Sequence, residues 1–306
     1  MKILDLLDID EYIELFDLPN NEIRETEYIH DLVYQAVQLI QRPEKLVGIN
    51  SGLTELDELT HGWKNGDLIY IGISPEFDKS GFSKTLLLNP VIKDKKSIAY
   101  FSNSPDVKQL VGTLCSAYMG LFNASFKEGV DTLSKLPIHL ECVNEISIDE
   151  LNHKIYLLKE EYGVDMIIIE DFDSIIHIEK GITKSQSEKQ TLKSLKEIAY
   201  FFKIPIIILS QLPIERDKPN LGSLKINVHV EDFADVLLLL RKGADNYGKM
   251  KMELCMCKNK NNELKDIYIN YNNSFNCFSD DIIVKSNLYD KKKIYSGKKA
   301  TTSRFS

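Results

Sequence analysis

From Gly48 onward the chain alternates short unbroken apolar runs with longer amphipathic stretches. Apolar runs at 68–73, 97–101, 138–140, 166–169 and 204–209 predict strands, and further runs follow at 236–240, 252–257 and 267–271. A run such as Met-Ile-Ile-Ile at 166–169 has no polar alternation, as expected of a strand buried on both faces. Between these runs, 106–121 and 185–202 repeat apolar residues at helical spacing. Ser147-Ile-Asp-Glu150 is a capping box, and it predicts a helix that runs to Tyr162-Gly163. Strands that alternate with helices imply an α/β fold with a mostly parallel twisted sheet and helices on both faces. The last strands follow one another too closely for helical crossovers, so an antiparallel C-terminal edge is expected.

Ahead of this core the texture differs. Residues 1–20 read as a short acidic helical segment that ends near Pro19-Asn20-Asn21. Residues 22–42 carry Ile29, Leu32, Val33, Ala36, Val37 and Ile40 at helical spacing, and Pro43 stops them. The expected organisation is an N-terminal acidic segment and linker helix at 1–45, a core domain at 46–285 and a basic tail without fixed structure at 286–306.

Composition narrows the class. The net charge is −8, which disfavours strong non-specific binding to nucleic acid, although a local basic stripe is compatible with it. No apolar run reaches the roughly 18–20 residues of a membrane helix, and the acidic start is unlike a secretory signal, so a cytoplasmic protein is expected. The five cysteines lack framework spacing, which argues against a disulfide scaffold. Cys255 and Cys257 would share one face of a strand and read as buried thiols.

Four stretches carry candidate chemistry. Gly72-Ile73-Ser74-Pro75-Glu76-Phe77-Asp78-Lys79-Ser80 follows the first core strand. A phosphate loop needs backbone N–H groups close to the phosphates, a Lys for the β/γ-phosphates and a hydroxyl for Mg²⁺. Lys79 and Ser80 supply the last two and open a helix whose N-terminus favours an anion. Ile73 and Asp78 stand where the motif has glycines, and Asp78 puts a carboxylate on the phosphate path. A second register at Ser83-Lys84-Thr85 lengthens the loop and brings Pro90 close to the helix start, so Lys79 is preferred. Next, Ile167-Ile168-Ile169-Glu170-Asp171 is a buried strand that ends in carboxylates able to face a metal ion. Ile206-Ile207-Ile208-Leu209-Ser210-Gln211 ends a further apolar strand in a polar side chain, Gln211. Cys257-Lys258-Asn259-Lys260-Asn261-Asn262 is a hairpin turn that presents a cation.

Together with the lead-in Gly52–Leu68 (helix, glycine stop, glycine turn, strand), these stretches resemble the RecA-like C-terminal domain of DnaB-type replicative DNA helicases over roughly 48–278. The resemblance implies a six-membered homo-oligomeric ring that binds ATP and Mg²⁺ between subunits and moves on single-stranded DNA. It implies nucleotide binding at Asp78, Lys79, Ser80, Glu170 and Gln211, with Mg²⁺ near Ser80 and Glu170. Glu170 stands at the metal-holding carboxylate, Gln211 at the γ-phosphate sensor, and Lys260 at the trans-acting arginine finger. Ser104 falls where the family has the glutamate that activates water, and a hydroxyl is a poor general base. Asp106 is the nearby substitute. Val230-Glu-Asp-Phe-Ala-Asp235 matches the buried acidic turn before a family strand, whereas 223–229 lack the usual Arg and Gly of the DNA-contacting region. Residues 1–45 are too short for the family's primase-interacting domain, and 22–42 correspond to the helix that docks on a neighbouring subunit. The changed glycine, glutamate and arginine all strike one site. Two functions follow: a helicase or translocase with weakened ATPase, or a catalytically inactive RecA-fold scaffold.

Overall fold

A computed structural model describes residues 48–176, 183–212, 230–244, 250–260 and 263–280. The expected helices at 1–20 and 22–42, the 223–229 segment and the basic tail lie outside the described residues.

The described core is one nine-stranded sheet in the order β11-β10-β9-β8-β1-β7-β5-β2-β3. Its strands are β1 (Leu68–Ile73), β2 (Ile98–Ser102), β3 (Ile138–Cys142), β5 (Met166–Ile169), β7 (Ile206–Gln211), β8 (Val236–Ala244), β9 (Met250–Asn259), β10 (Ile267–Asn272) and β11 (Cys277–Asp280). The six from β3 to β8 are parallel, while β9, β10 and β11 pair antiparallel at the edge. Two short strands, β4 (Ile146–Ser147) and β6 (Ile175–Ile176), make a separate parallel pair.

The period of two along each strand sorts side chains into two cores. Ile69, Ile71, Ile168, Ile207, Leu209 and Leu238 face one side. Their neighbours Leu68, Tyr70, Ile167, Ile206, Ile208 and Leu237 face the other. The first face is covered by α1 (Thr54–Thr60), α2 (Lys79–Lys93) and α3 (Val107–Phe122), the second by α5 (Ile148–Tyr162) and α6 (Lys184–Phe202). The unbroken apolar runs are thus explained: both faces of the strands are buried.

Local chemistry sets the helix ends. The Ser147 hydroxyl accepts from Glu150 N and the Glu150 carboxylate answers to Ser147 N at 3.0 Å, opening α5, and Gly163 closes it in the left-handed conformation. A second capping box, Ser125 with Glu128, opens the short helix α4 (Phe126–Leu133), which is not among the helices expected from the sequence. Pro90 does not stop α2, which runs on to Lys93.

The lead-in segment is folded on itself at two points. Gly48 and Gly62 approach so closely that a Cβ on Gly62 would lie 2.7 Å from the Gly48 backbone, which lets Ile49 bridge Trp63. The buried Asp57 carboxylate accepts from Ser51 N at 2.7 Å and Gly52 N at 3.2 Å. The acidic turn opens with the single-turn helix α7 (Val230–Phe233), and it is less buried than expected, because Glu231 and Asp232 are exposed. Its working residue is Asp235, whose carboxylate accepts from Leu68 N at 2.8 Å and pairs with Lys196 at 2.6 Å, fixing the start of β1.

Cys255 and Cys257 do share a face of β9, packed on the second core. The Cys255 thiol lies within 4.8 Å of the Glu253 and Asp266 carboxylates, but Arg241 pairs with Glu253 at 2.9 Å and burial pushes the thiol well up. It stays a protonated core thiol.

Burial lifts the Asp57 carboxyl from its ordinary 3.8 to about 6, against the pull of the Ser51 and Gly52 N–H groups. Between those values the folded chain holds a proton that the unfolded chain has released, so stability falls as pH rises through that window. Urea denaturation across it should show a falling midpoint. Asp57→Asn, neutral throughout, should flatten that slope, and an unchanged slope would remove Asp57 as its cause.

Candidate functional site: the phosphate-loop end of the sheet

Ligands of open α/β sheets sit beyond the carboxyl ends of the parallel strands. Here that edge gathers the loop after β1, the Glu170-Asp171 pair after β5, the Ser102–Asp106 segment after β2 and Gln211 at the end of β7. The register places Ile73 beside Gln211, whose amide donates to the Ile73 carbonyl at 3.0 Å.

The loop is short and turned on itself. Ser74 N is tied to Leu240 O at 2.9 Å, Phe77 N closes on Ser74 O at 3.0 Å, and the Phe77 ring is buried. Helix α2 then starts at Lys79. Lys84 lies more than one turn inside it, so only the Lys79 register puts a lysine at the helix mouth.

Asp78 is the N-cap of α2: its carboxylate accepts from Ser80 N at 3.0 Å. The other carboxylate oxygen accepts from the Asn276 side-chain amide. Asn276 stands in the β10–β11 turn in the left-handed conformation and also receives the Tyr271 hydroxyl at 3.0 Å. The turn packs so closely that a Cβ on Gly81 would lie 2.1 Å from Asn276 Oδ1. The anion on the helix N-terminus is therefore the chain's own carboxylate, held from behind by the C-terminal hairpin.

The cations are engaged as well. Lys79 Nζ pairs with Asp171 at 2.7 Å, where both side chains are largely shielded, and Asn103 donates to the same carboxylate at 3.1 Å. Lys84, 2% exposed, donates its ammonium to the Ser80 hydroxyl. Burial pulls the Lys84 ammonium below its ordinary value, while the Glu170 and Asp78 carboxylates hold it up. Glu170 is itself buried and accepts from the Ser102 hydroxyl. Tyr100 completes the layer, 2.7 Å from Ser83 Oγ, and burial followed by the Glu170 charge pushes its phenol well above the usual range.

The loop lysine is met by Asp171. Ser104 donates its N–H to Ser102 Oγ at 3.1 Å, and the Asp106 carboxylate caps α3 by accepting from Lys108 N at 2.8 Å. Lys260 stands at the opposite end of the sheet, paired with the buried Asp67 that precedes β1. Within one subunit Lys260 is thus remote from Lys79, Ser80, Glu170 and Gln211.

The comparisons fit this architecture. Residues 48–280 match the family model described as the DnaB-like helicase C terminal domain. The chain belongs to that family. It is similar to the replicative DNA helicase DnaB of Geobacillus stearothermophilus, 24% identical over 277 residues, which cover 82% of this chain and 61% of that protein. It is also similar to a probable replicative DNA helicase of Trieres chinensis, 27% identical over 265 residues, which cover 78% of this chain and 58% of that protein. The chain thus spans about three-fifths of these curated relatives. A solved DnaB-like replicative helicase, described with its interactions with primase, superposes with a TM-score of 0.72 at 19% identity, covering 89% of this chain and 73% of that one. The antiparallel edge on a parallel RecA-like sheet is shared fold, not coincidence of pattern.

The family implies ATP with Mg²⁺, and the residues present fit the pair poorly. A phosphate at the α2 N-terminus would meet the Asp78 carboxylate already bonded there. A divalent ion on Ser80 Oγ would stand beside the Lys84 ammonium that donates to that oxygen. Like charges at such range repel.

Lys84, the lysine of the second loop register, and Asp171, the carboxylate next to Glu170, both join the site, while Asn276 is a site residue that no motif marks.

Asp78→Gly should open the helix N-terminus to an external anion. In thermal melts with ATP, the variant should gain a ligand-dependent rise in Tm that wild type lacks. A rise of equal size in wild type would show that Asp78 does not block the phosphate position.

Proposed function

We propose that this chain is a DnaB-like helicase-family subunit that serves DNA replication as a RecA-fold scaffold and does not act as an ATP-driven motor. The observation that carries the reading is the Asp78 carboxylate seated on the α2 N-terminus and tied to Asn276. It places an anion of the chain where a nucleotide phosphate would sit. Two further departures agree with it: Ser104 at the water-activating position and Lys260 at the finger position. A Lys supplies charge without the planar fork, and losing a finger or a general base each costs orders of magnitude in rate.

On this reading the chain assembles with copies of itself or with a family ring, and the domain at 46–285 supplies the interface. The acidic segment and linker helix at 1–45 and the basic tail at 286–306 are appendages for docking. A primase, the partner named with the solved relative, is one candidate for the scaffold's client. Single-stranded DNA is a weaker one, given the net charge of −8. No helix among the described residues is long and apolar enough to cross a membrane, and the proposed site of action is the cytoplasm.

One observation favours the motor reading. Lys79 and Gln211 both stand at the phosphate-loop edge, as an ATPase requires. Phosphate release from purified protein with ATP and Mg²⁺, with and without single-stranded DNA, separates the two. The scaffold reading predicts turnover no higher than in Lys79→Ala, and no stimulation by DNA. DNA-stimulated turnover that disappears in Lys79→Ala would establish the motor.

A further inference from the structure

The layer beneath the phosphate loop contains a charge that the family chemistry does not use. Lys84 sits in the second turn of α2 with its side chain 2% exposed. An ammonium so placed needs anionic or acceptor partners, since burying it alone is prohibitive. It finds them in the Ser80 hydroxyl, to which it donates, and in the fields of Glu170 and Asp78. Ser80 and Glu170 are the two side chains that the resemblance assigns to a divalent ion. One internal cation thus engages the hydroxyl directly and stands in the field of the carboxylate, the two groups a metal ion would bridge in such a site.

We infer that the Lys84 ammonium permanently replaces the divalent cation of this site, so that the site excludes Mg²⁺. The arrangement is stable without any ion. Glu170 has a donor of its own in Ser102 Oγ, and Tyr100 links the layer to Ser83. Lys79 is drawn away to Asp171 and does not compete for Glu170. A hydrated divalent ion cannot share Ser80 Oγ with an ammonium that donates to it, because both present positive charge to the same lone pairs. The inference rests on the reading of a site that has left metal-dependent ATP chemistry, and it adds the residue responsible.

Mn²⁺ binding to the full chain, followed by the electron paramagnetic resonance signal of free Mn²⁺, tests it. Glu170→Gln serves as the blank that subtracts ions bound elsewhere on this acidic surface. Wild type should bind no Mn²⁺ beyond the Glu170→Gln blank. Lys84→Met, which keeps the length of the side chain and removes its charge, should bind one ion at least ~10-fold more tightly than wild type. The double variant Lys84→Met with Glu170→Gln should lose that ion. Lys84→Gln repeats the measurement should the methionine variant fail to fold. An ion bound by wild type and lost in Glu170→Gln overturns the inference, as does a folded Lys84 variant that gains none. The two readings fail separately. Mn²⁺ bound at Glu170 in a protein without turnover sinks only the internal cation. DNA-stimulated turnover sinks the scaffold.

Discussion

A helix that begins at the end of a buried strand presents unpaired N–H groups and the positive end of its dipole to the space above the sheet. Something negative must satisfy that end, and the rest of this site follows from what does so. In a phosphate-loop protein the loop is built of glycine and waits for a ligand. Here the satisfying group is Asp78, one residue before the helix and bonded to Ser80 N. Asn276 from the β10–β11 turn holds the second carboxylate oxygen, which makes the C-terminal hairpin part of the closure. The Gly81 position is dictated by that packing, because any side chain there would strike Asn276.

Once the helix end is satisfied internally, the cations around it lose their ligand and find partners in the chain. Lys79 turns to Asp171, and Lys84 turns to Ser80 in the field of Glu170. Buried ion pairs repay their desolvation poorly, but removing one partner leaves an uncompensated charge that costs about 3–5 kcal/mol. The site is therefore coupled: removing Lys79 or Asp171 strands the charge of the other. The remote end of the sheet shows the same pattern, with Lys260 held by the buried Asp67.

The fold was largely legible because its signal is local and repeated. Unbroken apolar runs marked β1 and β5 with their observed bounds, and the Ser147–Glu150 box marked the start of α5. Strand β11 was missed because Cys277–Asp280 is short and mixes polar with apolar residues, and α4 was missed because its eight residues bury little apolar surface. The site was legible as a set of positions, not as a set of contacts. Motif spacing led to Lys79, Ser80, Glu170 and Gln211 at one edge, and it led to Asp78 as the odd residue. It could not say that Asp171 would take Lys79, or that Asn276, nearly two hundred positions away, would bind Asp78. Those contacts depend on tertiary packing of a hairpin turn over a helix end, for which no sequence period exists.

The central claim is that this chain fills its own phosphate site. A crystal structure grown with Mg²⁺ and a non-hydrolysable ATP analogue tests it most directly. The account predicts that the Asp78 carboxylate stays on Ser80 N, with Asn276 behind it, and that no triphosphate or metal density lies between Ser80 and Glu170. A triphosphate cradled at the start of α2, with Asp78 swung away and a metal ion on Ser80, would contradict it.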